Sequence, residues 1–338
     1  MPVLRIDPLS GHRTIVAGER SRRPGGEPRC EPPQPIDPES DPFAEGHEDR
    51  TPPELYAVRP GDGAPDTPGW TVRVVPNLYP ALDPPQPGSH EGSGSVEDSQ
   101  GTGRGAPELF IKRPATGAHE VIINGPQSVL SLAELSSAQV VSAVDVWRER
   151  MRAHPDSAHL QLIVNERREA GASLPHTHAQ LYALDFVPAA VARERERASA
   201  YTARTMGQSL LGDLIAEEVR RGERIVAIDD EAVLIAPFAS RLPFQLMLAP
   251  RRPRARFEDE GATGAALLHD GLSRLARRLG SSPPLNLWVR TAPRGAEDFC
   301  WRIDIMPRLT HLAGLELSTD LNLNIVAPED AAAALREA

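Results

Sequence analysis

Lysine is almost missing from this 338-residue chain: Lys112 is the only one, and arginine supplies every other basic residue. Arginine forks suit phosphate groups, but a bias spread over the whole chain reads as a coding habit of the source genome. Cysteine is as scarce. Cys30 and Cys300 are the only two, too few and too far apart for a disulfide framework or a thiolate metal site. The formal net charge of −10 argues against a general nucleic-acid binder. No run of about 18 apolar residues occurs, so no membrane-spanning helix is expected. The first thirty residues are polar and lack an apolar leader core. Together these absences point to a reducing cytoplasm, with no nucleic acid and no membrane as partners. Aromatics make up 4% of the chain and apolar residues 40%. That is enough for one large globular domain or two ordinary ones.

What is present is concentrated in Gly171-Ala-Ser-Leu-Pro-His-Thr-His-Ala-Gln-Leu-Tyr-Ala-Leu184. From Pro175 onward the stretch reads as a strand, whose side chains alternate faces with period two. That places His176, His178 and Gln180 in a row. Gly171, Ala172 and Ser173 form a small-residue turn that a phosphate could approach closely. A neutral imidazole can attack phosphorus, and an amide can donate to phosphate oxygens without a charge of its own. A His-x-His taken alone would fit a metal pair as well; the whole stretch points to a catalytic site for phosphoryl chemistry.

Along the chain, residues 24–53 read as extended coil and 83–107, rich in Gly, Ser and Pro, as a flexible insertion. Strands are expected over Trp70–Val75, His119–Asn124 and His159–Asn165. Ser131-Leu-Ala-Glu134 reads as a capping box ahead of a helix that buries Leu132, Leu135, Val140, Val144, Trp147 and Met151. A charged helix over 187–221 carries Arg193-Glu-Arg-Glu-Arg197 as a solvated face. Then Arg224–Asp229 and Ala232–Ala236 read as a hairpin, Phe244–Ala249 as a strand, Leu267 to Leu279 as a helix, and Leu285–Arg290 and Trp301–Met306 as closing strands. The same order therefore recurs at about 70–230 and 224–310, which implies an internally duplicated α+β unit. The expected division is an arm over 1–69, a first unit over 70–223 and a second over 224–338. The second unit has Trp301-Arg-Ile-Asp-Ile-Met-Pro307 where the first has its histidines.

The motif resembles the active site of galactose-1-phosphate uridylyltransferases, a branch of the histidine-triad superfamily. Leu4-Arg-Ile-Asp-Pro-Leu-Ser-Gly11, Gly18-Glu-Arg-Ser-Arg-Arg-Pro24, Val74-Val-Pro-Asn-Leu-Tyr-Pro80, His119-Glu-Val121 and Ile305-Met-Pro-Arg-Leu309 are similar to further family blocks. ADP-glucose phosphorylases share most of them. The resemblance implies duplicated histidine-triad-like units with antiparallel sheets packed against helices, and a homodimer. It implies His178 as the nucleophile of a ping-pong reaction between UDP-glucose and galactose 1-phosphate, through a uridylyl-histidine, in galactose metabolism. Gln180 would hold the adduct and His176 would orient it. Arg20, Arg23, Asn77, Asn165, Ser173 and Glu316 match substrate-contacting positions, with nucleotide-sugar and sugar-phosphate partners.

Metal ligands are where the chain departs from the family. Asp41 and Ala44 stand where Cys-x-x-Cys holds zinc in many members, and Ser128 where a further zinc-binding His falls. Ser209 and Gly212 replace another cysteine pair, and Arg290, Arg302 and Asp304 replace the histidines of an iron site. No metal or other cofactor is expected. Two alternatives stay open: a phosphorylase or adenylyltransferase acting on ADP-sugars or dinucleoside polyphosphates, and a non-catalytic nucleotide-binding protein on the same fold.

Overall fold

In a computed structural model the described residues are 1–19, 28–84, 110 and 112–338. Arg20, Arg23 and most of the 83–107 insertion lie outside them. A hairpin of β1 (Val3–Ile6) and β2 (Arg13–Val16) opens the chain. Ten further strands form one sheet: β3 (Tyr56–Val58), β4 (Val72–Pro76), β5 (Gly117–Ile123), β6 (His159–Glu166), β7 (His178–Leu184), β8 (Ile225–Ile228), β9 (Ala232–Ile235), β10 (Leu246–Pro250), β11 (Leu285–Arg290) and β12 (Arg302–Pro307). The last strand, β13 (Leu321–Asn324), returns to lie parallel to β2, so the two ends of the chain share a small sheet.

Read inward from its two edges, the large sheet runs β3-β4-β5-β7-β6 and β8-β9-β10-β12-β11. The two orders are the same, and the halves meet where β6 pairs antiparallel with β11. The duplicated order expected from the sequence is present, and the two halves join edge to edge in one continuous antiparallel sheet. Helix α1 (Ser137–Arg152) links β5 to β6, and α4 (Ala265–Leu279) links β10 to β11. Both pack on one face of the sheet and against each other. Every second residue of the inner strands points to them: Leu160, Leu162 and Val164; Ala179, Leu181 and Ala183; Leu285, Leu287 and Val289; Ile303 and Ile305. Each fully buried Leu or Ile contributes about 1.5–3 kcal/mol, so this face holds the halves together. The alternate residues face the other way and are free for chemistry.

Two elements differ from expectation. Ser131 caps only a 3₁₀ turn over Leu132–Glu134, by accepting from Ala133 N; the capping box of α1 is Ser136 with Gln139. The long charged helix is two helices, α2 (Ala189–Arg204) and α3 (Leu210–Arg221). The break holds Met206 and Gly207 at φ 56° and 109°, a region no helix residue can occupy. Ser209 then caps α3 by accepting from Gly212 N at 3.2 Å. Two short helices, α5 (Gly314–Thr319) and α6 (Pro328–Arg336), close the chain.

Candidate active site

The strand bearing the motif starts at His178, later than Pro175 leads one to expect. Before it one rung of the β5 pairing continues, Asn124 N donating to Thr177 O at 3.2 Å, while Thr177 N donates away from the sheet to Val129 O at 2.8 Å. Asn124 also takes the Trp147 indole N–H at 3.0 Å and gives its amide to the Thr177 hydroxyl at 3.2 Å. A core tryptophan on α1 thus anchors the entrance to the motif. His176 lies in this entrance, just before the strand that carries His178, Gln180 and Tyr182.

His178 is buried, and its Nδ1–H donates to the His176 carbonyl at 2.7 Å. A carbonyl can only accept, so the proton sits on Nδ1 and the Nε2 lone pair is left for a ligand. Phe43 meets the ring edge-on, its centroid 5.3 Å away. Burial pushes the His178 imidazole below its ordinary value, with the His176 carbonyl opposing and the His176 ring assisting. The group is a neutral base with one free nitrogen.

Gln180 shows a second fixed polarity. Its Oε1 accepts from the Tyr182 hydroxyl at 3.0 Å and lies 3.1 Å from His119 Nε2. The His119 Nδ1 accepts from Ala81 N at 3.2 Å, so Nε2 carries the ring proton and donates to Gln180. His119 and Tyr182 stack at 4.0 Å between centroids. With its oxygen taken twice, the amide turns its N–H₂ group toward incoming oxygens. Asn77 borders this cluster: its Oδ1 accepts from Tyr79 N at 2.9 Å, and its amide nitrogen lies 3.1 Å from His119 Nε2 as one donor facing another, without a hydrogen bond. The sequence reading named His119 only as part of a block and missed Tyr182 as a partner. Strand alternation was the available signal for Tyr182, two residues beyond Gln180 on the same face.

Asn165 and Glu316 line one cavity of about 350 Å³, together with Asn286, Trp288, Arg241, Arg308 and Ile163, the β6 residue paired with Gln180. Asn286 donates to Asn165 Oδ1 at 2.8 Å across the seam. It was also missed, because only the β6–β11 register brings it there. Glu316 Oε2 accepts from Ala313 N at 2.9 Å, closing the first turn of α5. Ser173 is exposed in the turn before β7.

The positions that bind zinc in relatives are close together but carry the wrong donors. His176 Nδ1 lies 2.7 Å from Asp41 Oδ2, Ser128 Oγ donates to the same oxygen at 2.7 Å, and His176 Nε2 lies 2.8 Å from the Gly125 carbonyl. Burial alone would raise the Asp41 carboxyl, but hydrogen bonds from His176, Ser128 and Phe43 N hold it below the usual carboxylate value. Both imidazole nitrogens are already engaged, Ala44 offers a methyl group, and no thiolate is present. This set does not fit the nitrogen and sulfur ligands of a structural zinc.

The iron positions do not fit a metal either. Arg302 Nε donates to both Asp304 oxygens at 3.2 and 3.0 Å, and its Nη2 to Glu194 Oε2 at 2.9 Å. Arg290 Nε lies 3.5 Å from Glu194 Oε1. A guanidinium is always charged and cannot ligate. Glu194 is buried here, so the Arg193–Arg197 run is not a solvated face throughout. The charge is placed by the pairing it finds. Among the described residues no group of three His, Cys, Asp or Glu side chains could hold a metal ion.

Comparison with known proteins now decides the family. A family model described as "Galactose-1-phosphate uridyl transferase, N-terminal domain" matches residues 3–188, more than half of the chain. The chain belongs to the galactose-1-phosphate uridylyltransferase family. Members of this family of nucleotidyltransferases carry different names for their activities. The chain is 29% identical over 351 residues to an ADP-glucose phosphorylase of Arabidopsis thaliana, covering 99% of this chain and 93% of that protein. It is 29% identical over 260 residues to a probable galactose-1-phosphate uridylyltransferase of Drosophila melanogaster, covering 76% and 68%. The crystal structure of the Arabidopsis phosphorylase with bound ADP-glucose superposes with a TM-score of 0.77, at 26% identity and covering 100% and 99% of the two chains. A second model, "Domain of unknown function (DUF4921)", matches residues 125–337. Among the described residues no helix is long and apolar enough to cross a membrane.

Proposed function

We propose that this galactose-1-phosphate uridylyltransferase family member is a ping-pong nucleotidyltransferase that uses His178 as nucleophile. The observation that carries the reading is the hydrogen bond from His178 Nδ1–H to the His176 carbonyl at 2.7 Å, which leaves Nε2 free. Nε2 attacks the α-phosphorus of a nucleoside-diphosphate hexose. The bond from that phosphorus to the bridging oxygen breaks, and hexose 1-phosphate leaves. An acceptor phosphate oxygen then attacks the same phosphorus, the P–N bond breaks, and His178 is regenerated neutral. Gln180 donates its N–H₂ to the phosphate oxygens, and its oxygen is held away by His119 and Tyr182. Hexose 1-phosphate is a good leaving group, so no strong acid is needed in the first step. Gln180 also offers no proton relay to water, which favours transfer over hydrolysis.

Two forms of this reaction have support. The full-length likeness to an ADP-glucose phosphorylase supports an adenine nucleotide sugar as donor and orthophosphate as acceptor. The family model supports UDP-glucose as donor and galactose 1-phosphate as acceptor, with Asn165 and Glu316 in the 350 Å³ cavity contacting phosphate and hexose. We give the phosphorylase form precedence because its relative is 29% identical over 351 residues, against 26% over 361 for a uridylyltransferase of Cryptococcus neoformans that is also matched nearly end to end. Asn77 and Ser173 are assigned to the nucleoside and phosphate, and Arg20 and Arg23 to substrate phosphate across a homodimer in a reducing cytoplasm. The protein works without a resident metal. The test is product formation from ADP-glucose and UDP-glucose, each with orthophosphate and with galactose 1-phosphate. Turnover of ADP-glucose by orthophosphate supports the first form, and UMP transfer to galactose 1-phosphate the second. Full-rate nucleotide release with no acceptor would make the protein a hydrolase instead.

A further inference from the structure

Asp41 stands 135 residues before His176, yet their side chains are both 0% exposed and meet at 2.7 Å. A buried carboxylate touching a buried imidazole is costly unless every polar atom is engaged, and here each is. Asp41 Oδ1 takes the Phe43 N–H at 3.0 Å and Oδ2 takes the Ser128 hydroxyl at 2.7 Å. The main-chain carbonyl of Asp41 meets His47 Nδ1 at 2.7 Å. On the far side His176 Nε2 meets the Gly125 carbonyl at 2.8 Å. The His176 ring is thus gripped at both nitrogens, and it cannot turn without breaking a bond to a buried oxygen.

His176 touches the reaction centre through its backbone. Its carbonyl oxygen is the acceptor that fixes the His178 proton on Nδ1. Because the side chain is clamped, the peptide plane that carries this carbonyl is held as well. Phe43, two residues after Asp41, lies edge-on to both rings, at 6.1 Å from His176 and 5.3 Å from His178. One short segment therefore grips the ring that aims the carbonyl and walls the ring that reacts.

Resting on the reading of His178 as nucleophile, we propose that Asp41 is the positioning residue of this active site. Its contact with His176 sets the tautomer of His178, and a hydrogen-bonded carboxylate does this at the place where relatives use a metal. A clamp that acts through an outer contact is expected to change rate about 10–100-fold when broken. It touches neither substrate nor phosphorus, so the effect falls on kcat more than on KM.

The direct readout is the ring tautomer of His178, measured by NMR on protein carrying ¹⁵N-labelled histidine at a pH where the ring is neutral. The wild type is expected to hold only the Nδ1–H form. Asp41→Asn is expected to populate both forms and to slow formation of the nucleotidyl adduct about 10–100-fold. Ser128→Ala, which keeps the carboxylate, should stay within about fivefold of wild type, the effect of one hydrogen bond. Loss of stability alone would lower the amount of folded protein without changing the tautomer in what remains. An Nε2–H tautomer in the wild type overturns the proposal whether or not Asp41→Asn folds. So does an Asp41→Asn protein that forms adduct at the wild-type rate. Absence of any adduct on wild type is a different failure, that of the nucleophile assignment.

Discussion

The two halves of the ten-stranded sheet share a strand order and part company in what the matching strand carries. In the first half β7 presents His178, Gln180 and Tyr182 on the face away from the helices. In the second, β12 presents Arg302, Asp304 and Met306. The first set is uncharged, and each polar group has one atom bound and one free: His178 Nε2 beside its bonded Nδ1, the Gln180 N–H₂ beside its bonded oxygen. The second set is charged and its charges are paired inward, with Arg302 spanning Asp304 and Glu194. On the proposed mechanism, burial makes the first half reactive and the second cohesive. A free lone pair in a dry site is a nucleophile, whereas a buried ion pair must be complete to be tolerated.

The comparison breaks most severely at His178. His178→Asn keeps size and hydrogen bonding but cannot form a phosphoramidate, and turnover should fall by several powers of ten. Retention of more than about a tenth of the wild-type rate would remove His178 as nucleophile. The counterpart change in the second half is Arg302→Met. It leaves Asp304 buried without its partner and Glu194 with Arg290 alone at 3.5 Å, and should lower unfolding free energy by about 3–5 kcal/mol in urea titration. Rate per folded molecule should change by less than about twofold, since Arg302 sits three strands away from β7 in the sheet. A tenfold rate loss with stability intact would mean that the second half does chemistry.

Gln180→Ala should slow both half-reactions by about 2–4 kcal/mol of barrier, the effect of one preorganised donor, read in single-turnover assays. Gln180→His supplies a proton donor and should raise hydrolysis relative to transfer. Tyr182→Phe frees the amide oxygen from one of its two donors and should cost about 0.5–1.5 kcal/mol in the same assay. An unchanged rate would show that the amide is oriented by His119 alone.

The pH dependence separates the halves more finely. The His178 value in the fold lies below its ordinary 6.5, so the neutral ring is favoured by folding. That contribution to stability is present above 6.5 and is lost as pH falls through the lower folded value. The acid limb of kcat/KM should therefore have its midpoint below 6.5; a midpoint at or above 6.5 would contradict burial as the cause.

Much of this was legible in the sequence. Period-two and period-3.6 patterns marked the inner strands, α1 and α4 to within a few residues, and the repeated order of elements reappears in the sheet. The motif pointed to His178 and Gln180, which share a face of β7. What sequence could not supply were partners set by distant chain segments. Asp41 reaches His176 across 135 residues, Arg302 reaches Glu194 across 108, and Asn286 reaches Asn165 across 121. Glu194 looked solvated because its neighbours along the helix are charged, and only the tertiary fold reveals that it faces Arg302. The strand begins at His178 and not at Pro175, because Thr177 N is tied to Val129 O.

The central claim is that the chemistry belongs to one nitrogen of the first half. The measurement that tests it most directly is intact and peptide mass analysis after mixing the protein with ADP-glucose or UDP-glucose and quenching at alkaline pH, where a phosphoramidate survives. The account predicts a mass increase of one AMP or UMP, located on the peptide that carries His178 and lost when orthophosphate or galactose 1-phosphate is added before the quench. A nucleotidyl group found on any other residue, or turnover with no adduct at any time, would contradict it.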